Sequence, residues 1–318
     1  MSHINSSRAI FATLAYYDLL NRPLTATEIF KYLAAGSGPT KFFPVLTQLQ
    51  ENSRSSNIFS RREGLYFLTG RSRLVGEREK RLKIAHWKWS LLLRLIKFLA
   101  LAPFVRLIAV TGSLSADNPE KSSDWDLLII VKKNRLWTAR LILTMLAGLL
   151  GRRRHDRLTC DRFCLNCYLT DQKLTILPTI KPHDFHSAQE YGRLIPVLEI
   201  AKGAYEKFVQ DNASWLHQFL EVYPWPAGPG PKNIKPPRWV NTGRRSLELL
   251  FSGPPGNWLE KKLGQWQIKR IRSKTQNQPT DQVFISDSCL MFHPRSKSFR
   301  LMNRFEQRLA DFQKNYQL

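Results

Sequence analysis

Only 4 cysteines occur among the 318 residues. That is too few for a disulfide framework, so a reducing, cytoplasmic setting is expected. Acidic residues are also scarce: 25 Asp and Glu stand against 49 Lys and Arg, a formal net charge of +24. Such a balance does not determine fold. It favours polyanions as partners, meaning nucleic acid, nucleotides or an anionic membrane surface. Long uncharged apolar runs are missing as well. The stretch 89–110 is broken by Arg94, Lys97 and Arg106, and the stretch 136–151 by Arg140. Charges inside a bilayer are costly, and the second stretch is shorter than a spanning helix needs, so no transmembrane segment is expected. Both read as buried helix or strand, with peripheral membrane contact by 136–157 left open. The first apolar run follows Arg8 and contains Tyr and Asp, unlike a signal peptide. His155, His183, His186 and His293 are not at metal-ligand spacing.

What is present centres on Thr111 to Val131, TGSLSADNPEKSSDWDLLIIV. It follows an apolar run, VRLIAV, at 105–110. In a strand, residues i and i+2 share a face. Asp124 and Asp126 therefore point one way and Trp125 the other. Adjacent carboxylates repel unless a cation sits between them, and Mg²⁺ is commonly held by one or two carboxylates plus substrate phosphates. Gly112 lets backbone approach a ligand, and free N–H groups at the Gly112-Ser113 turn suit phosphate. The competing reading is a surface loop with a solvated acidic pair at a strand edge.

The order strand, Gly112-Ser113, spacer 114–123, then Asp124-Trp125-Asp126-Leu127 resembles the DNA polymerase β-like nucleotidyltransferase superfamily. The resemblance is strong over about 75 residues. It implies an α+β fold with a mixed sheet and a metal-dependent transfer of a nucleoside monophosphate from ATP or another NTP to a hydroxyl. By this resemblance Asp124 and Asp126 hold Mg²⁺ or Mn²⁺ and are catalytic, while Gly112 and Ser113 hold phosphates. Ser115 adds a further phosphate contact, and Arg152, Arg153 and Arg154 add charge from the loop opposite or contact RNA. The family's third carboxylate falls at Leu165-Asn166-Cys167, where this chain has Asn166. Asparagine can ligate through its carbonyl oxygen but is no base near neutral pH. The alternative is a non-catalytic nucleic-acid-binding or regulatory protein with a degenerate nucleotidyltransferase domain.

Along the chain, residues 1–72 carry three helical patterns and a hairpin. Thr25 and Glu28 form a capping box ahead of the second helix. The hairpin turns at Arg62-Glu63-Gly64. Three helices and a hairpin look like a winged helix-turn-helix, with Arg61 and Arg62 in the wing where they reach phosphates. Lys41 is the only basic residue of the third helix, which weakens DNA reading and leaves protein docking open. Residues 73–104 read as a helical connector, with Trp87 and Trp89 opening its buried part. Residues 105–181 read as the nucleotidyltransferase domain. Cys160, Cys164 and Cys167 have the spacing of a radical S-adenosylmethionine cluster, but strand parity puts Cys164 and Cys167 on opposite faces, which disfavours a cluster. Residues 182–318 read as a helical domain: two helices over 186–220 broken near Asp211-Asn212, an irregular Pro/Gly loop at 224–237, a helical region at 244–274 interrupted at 253–256, and a closing helix.

Overall fold

A computed structural model describes residues 2–36, 41–55, 58–155, 158–224, 233–275, 283–292 and 298–316. The Pro/Gly loop expected at 224–237 and His293 lie largely or wholly outside these residues. The first unit holds α1 (Ser2–Leu19), β1 (Leu24–Thr25), α2 (Ala26–Lys31), α3 (Phe42–Ser55), β2 (Phe59–Arg62) and β3 (Leu65–Leu68). The capping box is present: the Thr25 hydroxyl accepts from the Glu28 N–H and the Glu28 carboxylate from the Thr25 N–H. Glu63 and Gly64 turn the hairpin with φ of 53° and 76°, the paired positive values that match strand twist in a two-residue turn. Arg61 and Arg62 are exposed on β2, and the three strands pair antiparallel in the order β1-β3-β2.

The connector is one helix, α4 (Leu74–Leu99). Its buried stripe includes Trp89 and Leu92, but Trp87 is 52% exposed. The expectation of a buried Trp87 is corrected: it lies off the apolar stripe of the helix. Lys88 is wholly buried, and its Nζ lies 2.6 Å from Asp161 Oδ1. It also donates to the carbonyls of Lys121 and Ser123, which pins the spacer loop against α4.

A mixed six-stranded sheet follows, in the order β7-β4-β5-β6-β9-β8. It contains β4 (Val105–Val110), β5 (Trp125–Val131), β6 (Phe163–Thr170), β7 (Ile195–Glu199), β8 (Val283–Ile285) and β9 (Cys289–Phe292). β4 and β5 are antiparallel, and β5 and β6 are parallel through the crossover helix α6 (Leu136–Leu149). The remaining helices are α5 (Gly112–Ser115), α7 (Phe185–Gly192), α8 (Ala204–Leu216), α9 (Arg238–Leu250), α10 (Gly253–Thr275) and α11 (Ser298–Tyr316). The segment 182–318 is therefore not all helical. It donates three strands that complete the sheet on both sides of the central trio, so the sheet does not end at 181. The break expected at Asp211-Asn212 is also corrected. Asn212 lies inside α8, fully buried, its amide bonded to the carbonyls of Leu174 and Phe208 and its carbonyl accepting from Ile176 N. The break falls instead at β7, where LIPVLEI extends beside β4.

Each face of the sheet is covered. Leu128, Ile130, Cys167 and Leu169 pack with α1, α7 and α11, while Leu127, Ile129, Leu165 and Tyr168 pack with α4, α6 and α10. The first unit is thereby joined to the sheet. Arg193 Nη1 donates to the Tyr17 hydroxyl at 2.6 Å, and Tyr17 donates to Gln189 Oε1 at 2.7 Å. The helices α6 and α10 are tied together at their start. The buried Glu260 carboxylate accepts from the backbone N–H groups of Trp137 and Thr138, each at 2.8 Å, and so caps α6 from another helix. No helix among the described residues is long and apolar enough to cross a membrane.

Candidate active site

At one end of the sheet β4 finishes and β5 and β6 begin. Three backbone bonds close this end: Thr111 N to Asp126 O at 3.0 Å, Trp125 N to Arg162 O at 2.9 Å and Asp161 N to Ser123 O at 3.2 Å. They hold the two acidic positions between the Gly112 turn and the first residues of β6. Trp125 is fully buried on the α4–α6 side. The expected alternation is seen: Asp124 and Asp126 emerge together on the other side, both partly buried. Their carboxylate oxygens and the Cys164 sulfur all lie within 4.8 Å of one another.

Gly112 is required by this geometry. Its φ is +65°, and a Cβ built there would stand 2.5 Å from Asp126 Oδ2. The left-handed backbone and the close approach both select glycine. Ser113 is partly exposed beside it. Ser115 is buried, and its hydroxyl donates to the Gly112 carbonyl at 2.9 Å. Its observed work is to brace the turn, not to face an incoming group.

The cation beside the acidic pair is Arg154. Its Nη1 lies 2.7 Å from Asp124 Oδ2 and 3.0 Å from Cys164 Sγ. The contact to Asp124 is an ion pair by distance, yet the buried Oδ2 atom has no well-aligned hydrogen bond. Asp126 is pushed up to about 7 by burial, by the neighbouring Asp124 charge and by Glu190, with Cys164 and Arg154 pulling the other way. Burial, with Asp126 and Asp124 beside it, raises the Cys164 thiol well above its ordinary range. Cys164 is therefore a neutral thiol, a poor ligand for a hard cation. Two carboxylates remain as the donor set, one of them ion-paired to Arg154, and such oxygen donors fit Mg²⁺ or Mn²⁺ better than a thiolate-seeking metal.

Asn166 comes near because of a β-bulge. The register of β5 against β6 shifts between Asp126 and Leu128, so that Asp126 faces Cys164 but Leu128 faces Cys167. The extra residue re-aims the strand. Asn166 lines a cavity of about 10 Å³ together with Asp126, Cys164, Cys167 and Glu190. That is room for about one water. The parity argument separating Cys164 from Cys167 is corrected by this bulge: both line the one cavity. Cys160 stays outside it, exposed, with its thiol donating to the Lys121 carbonyl.

One residue of the site was not singled out in the sequence: Glu190 arrives from α7 and forms an ion pair with Lys181 at 3.1 Å. Arg154 was expected, with Arg152 and Arg153, to add charge from the loop opposite, and of the three it is the one that pairs with Asp124. Asp161 is buried against Lys88 and takes no part in the site. No family model, curated protein or solved structure matches the chain.

Proposed function

We propose that the chain is a metal-dependent nucleotidyltransferase that moves a nucleoside monophosphate from an NTP to an acceptor hydroxyl. The observation that carries this reading is the pairing of Asp124 and Asp126 against a glycine whose side-chain space Asp126 fills. On this reading the sheet is a polymerase β-like core and the first unit a winged helix. Asp124 and Asp126 would hold Mg²⁺ or Mn²⁺. The ion, when bound, neutralises triphosphate charge and stabilises the in-line displacement at the α-phosphate. Gly112 and Ser113 would take phosphate oxygens at the turn. Arg154, now paired with Asp124, supplies a second positive charge at the same place. Asn166 and Glu190 share the cavity behind Asp126. Asn166 cannot take a proton; on this reading Glu190 of α7, paired with Lys181, would be the carboxylate nearest the place of the family's third one.

The test uses each of the four NTPs, labelled at the α-phosphorus, with Mg²⁺ and with RNA or protein as acceptor. Label passes to the acceptor with wild type and is lost with Asp124→Asn and Asp126→Asn while both variants melt as cooperatively as wild type. Undiminished transfer by either variant contradicts the assignment. A second reading, a non-catalytic nucleic-acid-binding or regulatory protein, draws on Asn166 and on Arg154 standing against Asp124 as the counter-charge. It predicts nucleic-acid affinity that falls steeply with salt and ignores both substitutions.

A further inference from the structure

On the α6–α10 side of the sheet, the face opposite the one from which Asp124 and Asp126 emerge, lies an open cleft of about 850 Å³ that reaches the carboxylate pair through Arg154. It is built from two stripes of side chains at i, i+4 and i+8, which share a helix face. One stripe is Arg140, Thr144 and Gly148 on α6. The other is Trp266, Arg270 and Lys274 on α10. Arg153 and Arg154 close the end nearest β6, where Asn166 also lines the wall.

The chemistry of the wall is one-sided. No Asp or Glu lines the cleft, whereas five cations do. Among the described residues, Arg153, Arg270 and Lys274 have no carboxylate partner. Arg140 is held down by Gln267, whose Oε1 accepts at 2.6 Å, yet its buried Nε has no partner. Burial and the nearby charges of Arg153 and Arg270 disfavour its own charge. Like charges gathered without counter-ions are unfavourable unless an anion joins them. An aromatic surface is interleaved with them: Trp266 is 51% exposed, and the Arg270 guanidinium stands 5.9 Å from its ring centroid. A basic groove with an exposed aromatic platform is the combination that holds single-stranded nucleic acid, phosphates on the cations and a base on the ring. Arg154 joins this groove to Asp124 directly.

We infer that the α6–α10 cleft binds single-stranded nucleic acid and presents it to the carboxylate pair as the acceptor strand. Only the strand's role as acceptor rests on the nucleotidyltransferase reading. The winged helix is not needed for this binding.

The experiment is fluorescence anisotropy of the full chain with a labelled mixed-sequence single-stranded oligoribonucleotide, titrated at several NaCl concentrations. Wild type binds, and affinity falls linearly on a log–log plot against salt. The triple variant Trp266→Ala, Arg270→Glu, Lys274→Glu binds about tenfold or more weakly, with the salt slope reduced by ~1.4, about 0.7 for each single-strand phosphate contact removed. All three side chains are exposed, and the milder pair Arg270→Gln, Lys274→Gln guards against misfolding by showing a smaller loss in the same direction. Equal binding by wild type and the triple variant overturns the inference, as does absence of binding by wild type. Displacement of the oligonucleotide by Mg²⁺-ATP overturns the acceptor assignment by making the cleft the nucleotide's own seat. Sedimentation with phosphatidylserine vesicles that depends on these side chains, in a chain that ignores the oligonucleotide, overturns it in favour of a lipid surface. Oligonucleotide binding by a chain that takes no NTP supports the cleft and sinks the nucleotidyltransferase reading, so the two fail separately.

Discussion

Gly112 couples backbone conformation to the acidic pair. With φ of +65° and Asp126 Oδ2 2.5 Å from any added Cβ, Gly112→Ala strains the turn and displaces a carboxylate at once. The expected cost is about 1–3 kcal/mol of stability, read as a lowered urea midpoint, with metal-dependent nucleotide binding weakened as well. Unchanged stability and binding would show that the turn tolerates a side chain. The carboxylate pair was legible in the sequence because strand alternation is a period of two. It placed Asp124 and Asp126 together and sent Trp125 to the opposite side, as found. Glu190 was not legible, and neither was which of Arg152, Arg153 and Arg154 would meet Asp124. Glu190 comes from α7 and Arg154 from a loop beyond the α6 crossover, so only tertiary packing brings them to β5. The same limit applies at Asn166: a one-residue bulge decides which way it points, and no local pattern announces a bulge.

Capping and pairing chemistry stabilises the elements around the site. Thr25 and Glu28 were readable as a capping box, but Glu28 also forms ion pairs with Arg22 at 2.6 Å and with Arg78 of α4 at 2.7 Å. Burial alone would raise its carboxyl; Arg22, Arg78 and the Thr25 N–H outweigh burial and hold it below its ordinary value. A carboxyl depressed by folding adds stability above its unfolded pKa and loses it as pH falls through the folded one. The Glu28→Gln variant, which leaves the buried Arg22 uncompensated, should be less stable than wild type by roughly 3 kcal/mol near neutral pH. That gap should begin to narrow as pH falls below the ordinary carboxyl value, about 4.3, and close only as pH passes through the depressed folded value. Thermal melts of both proteins at about pH 7 and about pH 3.5 check this; a gap that stays constant would contradict it. The strands β7, β8 and β9 escaped the sequence reading for an energetic reason. Each spans 5 residues or fewer, too short for a periodic signal to stand out, and each takes its place in the sheet by pairing with a neighbour distant in sequence or by a short hairpin.

Across the whole molecule, the two ends of the chain close on one another. Phe11 of α1 stacks on Phe312 of α11 with centroids 3.6 Å apart. Asp18, buried near the end of α1, pairs with Arg71 at 2.8 Å and with Arg308 of α11. The first unit, the sheet and the last helix share one apolar cluster, so they should unfold together. Phe312→Ala should lower stability by about 3 kcal/mol and shift a single melting transition; a split transition would show that the ends fold independently. The basic balance of the chain, legible from composition alone, acquires a place in the fold at the α6–α10 cleft. The measurement that bears most directly on the whole account is titration calorimetry of ATP and the other NTPs in the presence and absence of Mg²⁺, on wild type and on Asp124→Asn. The account predicts nucleotide binding that requires both the metal and Asp124. Binding that persists without either, or no binding of any NTP, would contradict it.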